Sequence, residues 1–219
     1  MRYRLLIFTA MFTLAASADM CQPGTLQDYI DLPTAECTAG SVTFSNFAVV
    51  QGQAGATQID PALVSVMPTA GSGLLFTLNQ TATAGQLFES FFQFGAAGSI
   101  QSTLLSLLGS SATGDGVAAA GVDLCADGFF VGPVPIGCDG TPETLIALVI
   151  EGDGILTSPG FTGGSFFDIF VDLTVDGGLD GQAIFGAAQL DFNAVPEPAT
   201  YALMAPALAF LIWNSRRRS

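Results

Sequence analysis

Four cysteines apart, carboxylates are the only side chains in the body of this 219-residue chain suited to acid–base or metal-ligand chemistry. There are 19 Asp plus Glu and no His, and the five basic residues are Arg2, Arg4, Arg216, Arg217 and Arg218. Without His or Lys, nothing in the usual repertoire activates a Ser or Cys nucleophile, and a Lys-dependent phosphate loop cannot form. Two uses of carboxylates remain. A pair could act as acid and base in glycoside hydrolysis, although so many carboxylates make some pair inevitable and so uninformative. Asp and Glu in Gly-rich loops could instead ligate calcium. The candidates are Glu151 with Asp153, and the cluster Asp172, Asp176 and Asp180. Neither set has the spacing of an EF-hand loop or of the calcium-binding nonapeptide repeat. The simpler reading is favoured: Asp-Gly pairs make turns, and the Asp row between Phe166 and Val175 is a solvated sheet face. We therefore expect a non-enzymatic protein without an obligatory cofactor, calcium being the one ion to test.

The four cysteines, Cys21, Cys37, Cys125 and Cys138, are even in number. Three disulfide connectivities exist; pairing Cys21 with Cys37 and Cys125 with Cys138 closes the shortest loops. A four-cysteine zinc site is the alternative, but no C-x₂-C knuckle is present.

The elements that must carry these residues read as strands. Phe167, Ile169, Val171, Leu173 and Val175 alternate with Asp168, Asp172 and Thr174, the two-residue period of a half-buried strand. Ser41–Val50 alternates in the same way from Val42 to Asn46, and further strands are expected at Ala62–Met67, Leu74–Gln80, Leu87–Phe94, Val117–Leu124, Thr144–Ile150 and Gln182–Phe192. Ile100–Leu108 also has helical spacing, but bracketing glycines favour a strand; Leu26–Ile30 reads as a short helical turn. Many short strands with Gly-rich turns predict an all-β fold, an antiparallel β-sandwich of jelly-roll-like form.

Charge bounds the partners. All 19 acidic residues lie between Asp19 and Glu197 and no basic residue does, so that stretch carries 0 − 19 = −19. Nothing could neutralise phosphates, which excludes nucleic acid, and anionic membrane surfaces are equally unsuited. The chain is nevertheless half apolar with 18 Phe, too hydrophobic for disorder.

The ends carry addresses. Arg2 and Arg4, an apolar run from Leu5 and the small residues Ala16-Ser17-Ala18 make a secretory signal peptide over residues 1–18, to be handled by the Sec machinery and signal peptidase. The exported body is expected over residues 19–193. Residues 194–219 hold Val195-Pro196-Glu197-Pro198, an apolar stretch from Ala199 to Trp213, and Arg216, Arg217 and Arg218 as membrane-orienting charges. This tripartite end resembles the PEP-CTERM sorting signal of exported proteins from Gram-negative, exopolysaccharide-making bacteria. The resemblance implies transient anchoring of a transmembrane-type helix in the inner membrane and removal of the tail by an exosortase. It also implies delivery to the cell surface or extracellular matrix. The segment Gly24–Ile30, Cys37 and Val42–Phe47 further resembles the opening of a recurrent PEP-CTERM β-domain, which implies no particular activity. A structural or adhesive role in the exopolysaccharide matrix is thus expected, with calcium-assisted polysaccharide binding as the alternative and a carboxylate hydrolase third.

Overall fold

The computed structural model describes residues 19–131, 137–150, 156–157 and 163–194. The signal peptide, the sorting motif Val195–Pro198, Arg216–Arg218, and the calcium candidates Glu151 and Asp153 lie outside the described residues. Among the described residues no helix is long and apolar enough to cross a membrane.

Among the described residues, thirteen strands and one short α-helix follow in chain order. They are β1 (Gly24–Thr25), α1 (Leu26–Ile30), β2 (Glu36–Ala39), β3 (Val42–Val49), β4 (Thr57–Gln58), β5 (Ser65–Pro68) and β6 (Ser72–Thr83). Then come β7 (Leu87–Leu108), β8 (Ser111–Thr113), β9 (Val117–Ala126), β10 (Thr141–Ile150), β11 (Leu156–Thr157), β12 (Gly164–Asp176) and β13 (Gln182–Ala194). The helix starts where Thr25 caps it: its hydroxyl accepts from the Asp28 amide, and Asp28 accepts from the Thr25 amide. That box turns Leu26 and Tyr29 into the core.

The two strands expected on either side of Gly98 are one 22-residue strand, β7, which serves two leaves. Its first half pairs with β3 and β12, and its second half pairs with β13. One leaf therefore runs β1-β5-β6-β13-β7, and the other runs β2-β3-β7-β12-β9-β10-β11. All these pairings are antiparallel; only β4 lies parallel to β7, over two residues. The inner faces of the leaves meet through phenylalanines. Phe76 of β6 lies 4.9 Å from Phe92 of β7, and Phe44 of β3 lies 5.7 Å from Phe192 of β13, ring to ring. The result is an all-β antiparallel sandwich, as the alternation implied.

The partner switch in β7 occurs between Ala97, opposite Thr43 and Phe166, and Ile100, opposite Ala194. Gly98 sits at the bend, where a Cβ would come within 2.8 Å of the Ser41 carbonyl oxygen. The expected strand at Ala62–Met67 is shorter than its pattern. Asp60 accepts from the Ala62 amide and Pro61 opens a 3₁₀ turn, which delays the strand to Ser65.

Both disulfides form as the short loops suggested, with Cα separations of 4.9 Å for Cys21–Cys37 and 5.5 Å for Cys125–Cys138. All four cysteines are thereby used, which removes the zinc alternative. Two closed disulfides place the folded domain outside the reducing cytosol, in an extracellular setting.

Candidate functional site

The outward face of the leaf β7–β12–β9–β10 carries two of the sequence candidates, Asp172 and Asp176, together with Asp168, Asp123 and Glu89. Register fixes the neighbours row by row. Phe91, Asp172, Gly121 and Ile146 stand side by side across the four strands, and Gln93, Phe170, Asp123 and Thr144 form the next row. The residues alternating with them, among them Phe92, Val171, Val122 and Leu145, are buried in the core. This alternation is why the polar set points outward together.

Each acidic group on this face is pinned by a neutral donor. Thr174 donates its hydroxyl to Asp172 Oδ1 at 2.6 Å, and Thr144 donates to Asp123 Oδ1 at 2.6 Å. Glu89, one row along beside Thr174, is almost fully buried and accepts from the Gln53 amide at 3.1 Å. Burial pushes the Asp172 carboxyl up to about 6, aided by the negative charges of Glu89 and Asp123 and opposed by the Thr174 hydrogen bond. Its proton is therefore held into the near-neutral range, unlike that of an ordinary carboxylate.

Phe91 supplies the apolar part. It is half-buried, backed by the buried Phe170 ring at 5.1 Å in an edge-on contact. It also lines a recess of about 410 Å³ between the end of β3 and the 50–61 loop, with Val49, Ile59 and Pro61. Across the sheet, Gly121 leaves a gap: a Cβ there would meet only the Asp172 Cβ, at 3.8 Å. The face thus offers a ring, a trough and fixed hydrogen-bond acceptors, with no base anywhere in the described residues.

Asp168 corrects the expectation of a fully solvated Asp row. It is 5% exposed, because the loop after β9 folds over it. Gln93 donates to both its oxygens, at 2.8 and 2.9 Å, and the Phe130 amide donates to Oδ2 at 2.9 Å. The Phe129 and Phe166 rings close that end at 5.0 Å.

The three described calcium candidates are not gathered round one centre. Asp172 and Asp176 share β12 four residues apart, ~13 Å at strand spacing, too far for common ligation at about 2.5 Å. Asp172 is engaged by Thr174, and Asp176 accepts from the Gly178 amide at 2.8 Å. Asp180 is exposed and donates its own amide to Asp115. Among the described residues no group of three acidic, His or Cys side chains could hold a metal ion. The Asp-Gly turns instead use their carboxylates on backbone amides. Asp115 accepts from Leu179 and Asp180, and Asp127 from Ser165 and Phe166. Those bonds hold both carboxyls below the usual range.

Glu89, Phe91, Gln93 and Asp123 were not singled out from the sequence as site residues. Alternation alone shows that Phe91 and Gln93 share a face; only strand register sets them beside Asp172.

No family model matches the chain, and no curated protein matches it. Among solved structures, the chain is similar to TmCBM61, which was solved in complex with beta-1,4-galactotriose. The match has 10% identity over 68% of this chain and 88% of that one, with a TM-score of 0.28. A likeness that loose supports no residue-level comparison.

Proposed function

We propose that this is a non-catalytic protein of the cell surface or exopolysaccharide matrix, which adheres by binding neutral polysaccharide on the β7–β12–β9–β10 face. One observation carries the reading: an aromatic ring, a glycine trough and pinned carboxylates lie side by side, each partly exposed, on one sheet face. A sugar ring presents apolar C–H surface that can pack on Phe91, while its hydroxyls donate to Asp172 and Asp123. Such sites combine apolar contact with a few fixed polar groups. The same charge repels acidic glycans, since no basic side chain faces them.

Retardation in gels containing dissolved polysaccharide tests the reading. Neutral galactan, glucan and mannan are compared with acidic alginate. At least one neutral polymer should slow the exported protein and alginate should not; Phe91→Ala should lose roughly tenfold in affinity, about 1.4 kcal/mol. Migration unchanged by every neutral polymer would sink the proposal. Release of reducing ends from any of them, lost in Asp172→Asn, would instead make the protein a hydrolase with Asp172 as its acid.

Delivery follows from the resemblance at the C-terminus. In this reading the Sec machinery and signal peptidase remove Met1–Ala18. An exosortase then cuts near Val195-Pro196-Glu197-Pro198 while Arg216–Arg218 hold the tail at the inner membrane. Intact-mass measurement of the surface protein should show both segments gone. A mature chain that keeps Arg216–Arg218 would defeat the sorting claim.

A further inference from the structure

We infer that the protein carries a second glycan-binding recess on the opposite side of the sandwich, so that one molecule ties two neutral chains together. The inference rests on the reading of the first face and extends it from adhesion to cross-linking.

The second recess, about 440 Å³, lies on the outward face of β13 and the second half of β7. Thr69, Ser102, Leu104, Gln189, Asp191 and Asn193 line it. Asp191 is fixed from two sides: the Thr69 hydroxyl donates to Oδ1 at 2.9 Å, and the Gln189 amide donates to Oδ2. Gly73 of β6 sits opposite Asp191 in the register. A Cβ at Gly73 would fall 2.5 Å from both Asp191 Oδ1 and the Leu190 carbonyl oxygen, so the absence of a side chain there leaves room for the Asp191 carboxylate. Leu104, also opposite Asp191, is 49% exposed. An uncovered apolar side chain therefore stands beside an oriented carboxylate, with Ser102 and Asn193 adding neutral hydroxyl and amide groups. These are the chemical elements of the first face, Leu104 taking the place of Phe91, and again no base is near. An uncharged polyhydroxyl chain fits both.

The two recesses are separated by the core. Leu190 and Phe192 alternate with Gln189, Asp191 and Asn193 along β13, and both are buried, Phe192 against Phe44 of the other leaf. Phe92 and Val171, which alternate with the first-face residues, are buried from the other side. One stretch of glycan cannot lie on both outward faces. Two chains, or two distant segments of one, must be engaged.

Bivalence is tested by titrating the exported protein with oligosaccharides cut from neutral galactan, glucan and mannan, and by turbidity with the parent polymers. The wild type should bind two oligosaccharides per molecule and cloud the polymer solution. Leu104→Ala with Asn193→Ala, both solvent-facing changes, should leave one binding event and abolish clouding. Phe91→Ala should do the same from the other side; if it fails to melt cooperatively, Asp172→Asn serves that arm. Affinity for the long polymer should fall at least tenfold in each, because avidity is lost. A wild type that binds one oligosaccharide, insensitive to Leu104→Ala with Asn193→Ala, overturns the second recess and leaves the first face standing. Binding lost only through Leu104→Ala with Asn193→Ala overturns the bivalent reading and the first face as well. No binding to any of the three neutral glycans overturns both.

Discussion

Asp172 is where the site and the stability of the protein meet. Its carboxyl is held at about 6 in the fold against 3.8 in the unfolded chain, chiefly by burial. The sign follows from proton uptake. Below about pH 4 the group is protonated in both states and costs nothing; between about 4 and 6 only the unfolded state gives up its proton, so stability falls as pH rises. Above 6 the penalty is constant, at most about 3 kcal/mol for a shift of this size. Asp172→Asn keeps an oxygen to accept from Thr174 and has no charge to bury. Chemical denaturation should find the variant more stable than wild type at pH 7 by about 1–3 kcal/mol, with the gap closing toward pH 4. A gap independent of pH would show that Asp172 is not titrating as described. Alternation put Asp172 on the outward face from the sequence alone. Its burial was not legible there, because Glu89, 83 residues earlier by number (172 − 89), becomes a neighbour only through register and through the 50–61 loop that covers it.

The long strand is the element on which the architecture turns. The sequence shows Leu87–Phe94 and Ile100–Leu108 as separate alternating runs, because Gly95-Ala96-Ala97-Gly98 carries no large side chain to continue the pattern. The structure shows why small residues are needed there. β3, β7 and β12 crowd together at this point, with Phe166 and Ser45 against Gly95 and the Ser41 carbonyl against Gly98. What reads as a break is a close approach. Gly98→Ala should therefore destabilise the fold by about 1–3 kcal/mol, seen as a lower denaturation midpoint with an unchanged slope. Gly121→Ala, facing open space on the same sheet, should leave the midpoint within about 0.5 kcal/mol of wild type. Equal effects at the two glycines would remove the distinction between a packed bend and an open trough. The disulfides were more legible than the bend, since short loop closure needs no tertiary knowledge. Replacing Cys21 and Cys37 together by Ser should cost roughly 3 kcal/mol in the chain-entropy view.

At the scale of the molecule the governing fact is a body, residues 19–193, with 18 acidic side chains and no basic one. Most proteins weaken some attractions and some repulsions when salt is added, and the two partly cancel. Between Asp19 and Glu197 no attraction between side-chain charges exists to be screened. Repulsion is long-ranged at low salt, with a Debye length of about 30 Å at 0.01 M that shrinks to about 8 Å at 0.15 M. The two leaves, with carboxylates on both outward faces, should therefore be pressed less apart as salt rises. The melting temperature should climb steadily from 0.01 to 0.15 M sodium chloride at pH 7, and the climb should flatten near pH 4, where carboxylates begin to protonate. Calcium separates this general effect from a designed site. At equal ionic strength, a bulk screening effect is broad and non-saturating, whereas a site formed through Glu151 and Asp153 would saturate and be reversed by chelator at fixed salt. The expected outcome is the broad response alone, because the described Asp-Gly turns spend their carboxylates on backbone amides. A melting temperature that falls with added salt would mean that the acidic body is not limited by its own repulsion.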